Sequence, residues 1–350
     1  MGASHAFAFL LPFVGGCVLI TQDQERQKEI EVEDTGDKLG DAWVQLAAGG
    51  LHTCGLRENG VVECWGKNNN GQANPPADAR FSQITAGDSH SCGLQKDPNA
   101  GVPLCWGDDT WDNVSTAPTN AFEKIAAGGF FTCGLQLDHT AFCWGQNDDG
   151  QCNVVPGEKY KDIATGLHHT CAVRVDGSLY CWGENKCDQT NYPGGNNWER
   201  VYAGAQYSCA LDNAGEIQCW GSAPTEGCDY NEGTLDVPPT DPKDFDEPWV
   251  YGDMSAGPWH ACAITTPPPG GPSGWEAKEI KCWGQEGQGA TDMNDDFLYV
   301  DVAAGGGYGG DHTCGLTTTN DILCEGFDTW GQCTPPVDPG DVTDDSGTKK

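Results

Sequence analysis

A chain of 350 residues with 52 acidic against 18 basic side chains carries a formal charge of −34, which repels phosphate backbones and excludes nucleic acid as a partner class. Its 49 glycines, 13 tryptophans and 3 methionines favour short strands and tight turns over helices. Its 19 cysteines, with no short CxxC or CxxH pair, point to disulfides of an oxidising compartment, not to zinc or a reducing cytosol.

From the amino terminus, Ala6 to Val14 form an apolar run too short to cross a bilayer, closed by Val14-Gly15-Gly16-Cys17. The stretch resembles a bacterial lipoprotein signal, with the departure that no Lys or Arg precedes the apolar run. The resemblance implies an exported envelope protein with residues 1–17 as signal and Cys17 as lipidation site. It would sit at the outer membrane or cell surface and touch the membrane through its lipid alone. A secretory signal that is simply cleaved is the alternative. Residues 18–42 read as an acidic flexible tether and residues 338–350 as a disordered tail.

Between these ends, residues 43–337 hold seven copies of one unit. An aromatic opens each copy: Trp43, Phe81, Phe122, Tyr160, Trp198, Tyr251 and Tyr299. A glycine follows at 49, 87, 128, 166, 204, 257 and 305. Two cysteines come next, paired in order as Cys54 and Cys64, Cys92 and Cys105, Cys133 and Cys143, Cys171 and Cys181, Cys209 and Cys219, Cys262 and Cys282, Cys314 and Cys324. Trp-Gly follows the second cysteine in six copies, and the seventh has Glu325-Gly326.

The stretch from Cys54 to Cys64 predicts a hairpin about Asn59, with Cys54 opposite Cys64, Leu56 opposite Val62, and Gly60 supplying positive φ in the turn. Directly opposed antiparallel residues have Cα atoms about 4.5–5.5 Å apart, and a disulfide spans about 4.4–6.8 Å. Ten-residue spacing, present in five of the seven pairs, is therefore what a cross-strand bridge requires. Each bridge contributes about 2–3 kcal/mol by restricting the unfolded chain. Cys152, Cys187, Cys228 and Cys333 remain, and permit two more bridges in any of three connectivities. All four follow the second strand of their units, which suits links between neighbouring units.

Segments such as Ala48-Gly49-Gly50-Leu51-His52-Thr53-Cys54 and Cys143-Trp144-Gly145-Gln146-Asn147-Asp148-Asp149-Gly150-Gln151 resemble the repeats of the regulator of chromosome condensation family over most of residues 43–337. The resemblance implies an all-β, seven-bladed β-propeller with four antiparallel strands per blade; the cysteine spacing adds intra-blade disulfides as staples, and a monomer is expected. A unit of about 42 residues cannot cover both sheet faces alone, whereas radial stacking covers them and leaves only short edges. The opening aromatics and the Trp of Trp-Gly are expected between blades, and the glycines where chains approach near a central channel.

Five histidines, His52, His90, His169, His260 and His312, stand two residues before the first cysteine, with Phe131 and Tyr207 in the other two places. The resemblance makes this a scaffold position. Asp148-Asp149, Asp295-Asp296 and the acidic run 241–247 lack EF-hand spacing and read as solvated surface. Asn113-Val114-Ser115 fits a glycosylation sequon. There is no Gly-x-Ser-x-Gly elbow and no phosphate loop, so no enzyme, cofactor or metal is expected.

One column varies while its neighbours stay fixed. Three residues before the first cysteine stand Leu51, Ser89, Phe130, His168, Gln206, Trp259 and Asp311, with Tyr308 close by. Constant scaffold with variable tips is the pattern of a recognition face, and its aromatics are typical interface anchors. A second candidate surface is the insertion from Thr225 to Pro248, with Tyr230, Phe245 and Trp249. Members of the resembling family include exchange factors for small GTPases on chromatin and secreted inhibitors of β-lactamase. The acidic charge and the cysteines point away from the chromatin role. The expected function is an exported, envelope-anchored module that binds a protein or glycan through one face. A structural envelope protein and an exported hydrolase are the alternatives.

Overall fold

A computed structural model of the chain describes residues 42–222, 228, 237, 250–266, 278–284, 291, 293–294, 296–307 and 310–336. Cys17, Tyr230, Phe245, Trp249, Asp295, Tyr308, the 241–247 run and most of the 225–248 insertion lie outside these residues.

The described residues form 21 strands in seven three-stranded antiparallel sheets, each built from consecutive strands, and no helix. In the first sheet these are β1 (Trp43–Ala48), β2 (His52–Arg57) and β3 (Val62–Gly66). The expected hairpin register is present: Cys54 faces Cys64 and Leu56 faces Val62. Gly60 takes φ +86° in the turn. Between β1 and β2 the register slips at Val44, between Trp43↔Arg57 and Gln45↔Leu56. The bulge turns Val44 outward, and the same slip recurs at the start of the other six sheets. The middle strand is buried along its whole length, because a neighbouring sheet covers each of its faces.

Among the described residues no blade has a fourth strand, which corrects the expectation. After β3 the chain forms a turn held by side chains: Asn68 Nδ2 donates to Asn74 Oδ1 (2.7 Å), and Asn68 Oδ1 accepts from Ala73 N (3.1 Å). Asn147 with Asn153 and Asn185 with Asn191 repeat the clasp. Pro75 and Pro76 follow in the first unit. Backbone groups used by asparagine clasps, and prolines with no N–H, cannot form an outer ladder.

All seven predicted cross-strand bridges are formed, each with Cα atoms 4.0 Å apart. Of the two additional bridges expected, one exists: Cys187–Cys228 links the loops after the fourth and fifth sheets. Cys152 and Cys333 are free thiols. They occupy the same place in the third and seventh units, so they stand in different blades. Each Sγ donates to a carbonyl of its own turn, Gln146 O at 3.3 Å and Phe327 O at 3.4 Å.

The core consists of seven apolar clusters, one between each pair of adjacent sheets. Cys54, Leu56 and Val62 of the first sheet pack on Phe81, Ile84 and Trp106 of the second. The series runs on to Cys314 and Leu316 of the seventh sheet, which pack on Trp43, Leu46 and Trp65 of the first. The last sheet thus touches the first and the ring closes as a seven-bladed propeller. The expected inter-blade place of the aromatics and of the Trp of Trp-Gly is borne out, with the bridge face of one sheet against the aromatic face of the next.

Candidate functional site

The first strands surround the central opening. At one end, the residues after each strand line a narrow neck that runs from Ala48-Gly49-Gly50 round to Ala304-Gly305-Gly306. Here backbones bond directly from sheet to sheet: Gly50 N to Gly87 O (3.1 Å), Gly129 N to Gly166 O (3.3 Å) and Gly306 N to Gly49 O (3.0 Å). A Cβ on Gly87, Gly128 or Gly166 would lie 2.3 Å from the carbonyl oxygen of the next glycine in the ring. The glycine column exists because no side chain fits at this neck.

Behind the neck lies a belt of buried polar groups. Trp65 Nε1 donates to Gln332 O (2.8 Å), Trp106 to Gln72 O (2.9 Å), Trp182 to Gln151 O (2.9 Å) and Trp220 to Gln189 O (3.0 Å). Each indole therefore reads the backbone of the preceding unit, where a left-handed residue such as Gly71, Gly150 or Gly331 turns the carbonyl inward. The same carbonyls accept from hydroxyls: Thr53 to Gln332 O, Ser91 to Gln72 O, Thr170 to Gln151 O and Ser208 to Gln189 O.

The five histidines complete this belt. His52 Nε2 meets Ser91 Oγ (2.8 Å), His90 meets Thr132 (2.9 Å), His169 meets Ser208 (2.8 Å), His260 meets Thr313 (2.7 Å) and His312 meets Thr53 (2.9 Å). Where the hydroxyl proton is committed to a carbonyl, as in Ser91, Ser208 and Thr53, the histidine must be the donor through Nε2–H. Nδ1 of each ring then has no partner. Burial lowers their pKa values to about 3 for His52, His169 and His260 and about 4 for His90 and His312. A second proton would leave a charged N–H with no acceptor. The Ser–His pairs are thus unlike a nucleophile and base: the serine proton faces a carbonyl, the histidine donates, and both are inaccessible. The two exceptions are matched pairs. Ala261 carries no hydroxyl, and the Tyr207 that precedes it in the ring donates instead to Gly257 O (3.0 Å) and His260 O (2.7 Å). Phe131 faces Thr170, which is satisfied by Gln151 O (2.9 Å).

The variable column sits on the outer side of the neck. Its backbone is pinned to the end of each third strand, as in Lys67 N to Leu51 O (2.8 Å), Gln146 N to Phe130 O (3.0 Å) and Glu184 N to His168 O (2.9 Å). Three column residues converge. Phe130, His168 and Trp259, from the third, fourth and sixth sheets, line one cleft of about 110 Å³ with Leu167, Pro258 and Asp88. Leu51 and Gln206 are half-buried in their own turns and do not line it. Ser89 Oγ donates to Asp88 Oδ2 (3.0 Å). Asp311 departs from the expected tip: it lies within a strand (Gly310–Thr317) and is buried, because the seventh sheet's first pair of strands extends further toward the neck. Its Oδ1 has no partner, and burial pushes its pKa up to about 7.

Two residues that sequence reasoning did not place in this site are Asp88 and Leu167. Both directly follow a column glycine, where most units carry Gly, Ala or Pro. Burial raises the pKa of Asp88. His168 Nδ1 stands 3.5 Å from Asp149 Oδ2, so one residue of the expected acidic pair 148–149 supports the cleft wall. Asn113 of the sequon is fully buried, with Nδ2 donating to Asp108 O (2.9 Å), which removes it as a glycosylation acceptor in the folded chain.

The model of the "Regulator of chromosome condensation (RCC1) repeat" matches residues 43–72, 122–151 and 160–189. No curated protein matches the chain. Among solved structures, the ectodomain of the Arabidopsis thaliana receptor kinase ACR4 is similar at TM-score 0.63 and 22% identity, over 82% of this chain and 96% of that one. The ectodomain of the Physcomitrella patens receptor kinase CR4 matches at 0.61 and 19%, over 81% and 73%. Prp20p from Saccharomyces cerevisiae, described with its binding to Gsp1p and histones, matches at 0.57 and 16%, over 81% and 82%.

Proposed function

Because this chain is an RCC1-like repeat protein, we propose that it is a binding module, recognising a protein or glycan through the face on which Phe130, His168 and Trp259 surround the mouth of the central opening. The observation that carries this reading is the meeting of variable residues from three sheets over a belt whose hydrogen bonds are repeated and fixed. A partner-binding propeller of this fold has a precedent in Prp20p. A space of about 110 Å³ is small beside the ~300–1,000 Å³ of a cofactor or drug-sized site. It suits an anchor point within a larger contact, not a substrate pocket.

Eight disulfides suit an oxidising compartment. On this reading the chain is exported as a monomer and held at the envelope through Cys17. Fatty-acid labelling that is lost in Cys17→Ala tests the anchor. For the binding face, Phe130→Ala with Trp259→Ala is compared with the parent protein in cross-linked capture from envelope and medium. Loss of the captured partner at an unchanged melting temperature supports recognition. Retention of the partner, or a collapse of stability instead, assigns these aromatics to the scaffold.

A further inference from the structure

The cleft has a chemical bias that its aromatic walls alone do not define. Phe130, Leu167, Pro258 and Trp259 supply apolar surface, and the carboxylate of Asp88 closes one side. Asp88 Oδ1 stands beside Gly307 as well as Gly50, since a Cβ on either would lie 3.2 Å or 2.5 Å from it. On the other side of the same strand end, Asp311 Oδ1 lies against Gly306, only 2.1 Å from where a Cβ would be. Asp311 is 4% exposed and this oxygen has no partner among the described residues. Two carboxylates therefore flank Gly306-Gly307 at the mouth of the opening.

Neither forms an ion pair among the described residues. The basic group that acts on Asp88 is Lys67, whose ammonium lies over the Trp330 ring at 5.7 Å. His168 faces Asp149 instead. Burial raises the pKa of both Asp88 and Asp311, and at Asp88 it outweighs the opposing effect of Lys67 and the Ser89 hydroxyl. The site thus offers aromatic surface, low polarity and carboxylates without an ion-pair partner among the described residues, which together favour a cation. Its size limits that cation to one side chain: about 110 Å³ is less than the ~150 Å³ cavity that accommodates a benzene. The formal charge of −34 attracts a basic partner to this surface.

We infer that the cleft takes one basic side chain, a lysine ammonium or arginine guanidinium presented on a loop of a partner protein; this rests on the reading of this face as the binding face. The cation enters between Phe130 and Trp259 and sets its charge against Asp88, with Asp311 adding to the field behind Gly306.

Argininamide, lysinamide and norleucinamide serve as probes, read by shifts of the Gly129, His168 and Gly307 amides and the Trp259 indole in a ¹H–¹⁵N spectrum of the full chain. The expected result is at least fivefold tighter binding of the two cationic amides than of norleucinamide, with the advantage lost at high salt and in Asp88→Asn. Asp88→Asn is close in shape and removes a buried charge, so its melting temperature is expected not to fall. Asp311→Asn provides a second variant, expected to weaken argininamide by a smaller factor. Equal binding of norleucinamide overturns the cation and leaves the face as an apolar anchor point. No shift with any of the three amides also overturns it, while partner capture with the Phe130 and Trp259 variants still decides the broader reading.

Discussion

Replacing His169 with Phe tests the histidine belt, because the ring already contains that solution at Phe131. Unfolded histidine titrates near 6.5, whereas the five buried rings titrate at about 3 to 4. Below pH 6.5 the unfolded chain binds protons that the folded chain refuses, so stability falls as pH drops toward 4. Between pH 7 and pH 5 the loss is about 2 kcal/mol per ring, on the order of 9 kcal/mol for five. Asp301 and Asp311, each raised to about 7 by burial, act in the opposite direction. Their penalty is largest at neutral pH and recedes as pH falls toward 3.8, returning about 2 kcal/mol each over the same interval. Asp88, also raised by burial, acts in the same direction as these two, so the net expectation is a loss between pH 7 and pH 5 that is smaller than the histidine sum. In His169→Phe that loss shrinks by about 2 kcal/mol, since Ser208 keeps its bond to Gln189 O (3.0 Å). Guanidinium unfolding with bridges intact, at both pH values, measures the difference. Equal losses in the two proteins would refute the assignment of a neutral, proton-refusing ring.

Gly128→Ala places a Cβ 2.3 Å from Gly166 O and is expected to cost at least ~1–3 kcal/mol by overpacking, read as a lower unfolding midpoint. Trp182→Phe removes the indole bond to Gln151 O and is expected to lose about 0.5–1.5 kcal/mol more than its packing change. Trp283→Phe is expected to lack that extra loss, because Trp283 Nε1 has no partner among the described residues. Maleimide labelling of the folded chain is expected to be slow at Cys152 and Cys333, whose thiols burial pushes up to about 12. Labelling after unfolding without reductant then marks these two among the described cysteines, and peptide mapping finds the other sixteen in eight linked pairs.

Local pattern carried much of the fold. The ten-residue cysteine spacing fixes the Cys54↔Cys64 register because an antiparallel pair allows little else. The glycine column marks the neck because only a missing Cβ permits that approach. What pattern did not carry depends on side chains meeting across units. The Asn68 clasp that prevents an outer strand is a tertiary competition for backbone groups. The choice of Cys187 with Cys228 depends on which loops come together around the ring. The cleft joins Phe130, His168 and Trp259, separated by up to 129 positions. Their convergence follows from ring curvature, which no single unit encodes. The column predicts a tip at Asp311, but the longer strands of the seventh sheet draw it inside.

Each sheet is woven from one continuous stretch of chain, so six joints of the ring are tied by peptide and the seventh is only a clasp. At that clasp Asp301 Oδ2 accepts from Leu46 N (2.6 Å), Thr53 meets His312 (2.9 Å), and Trp65 donates to Gln332 O (2.8 Å). These are the same kinds of contact that join the tied pairs, so the molecule has no intrinsic beginning. Reconnecting the native ends and cutting the chain between Pro75 and Pro76 would move the clasp one blade along without altering a single interface. A force applied to the ends would open the ring there first, while the sulfur links hold the second and third strands of every blade together as the circle unrolls.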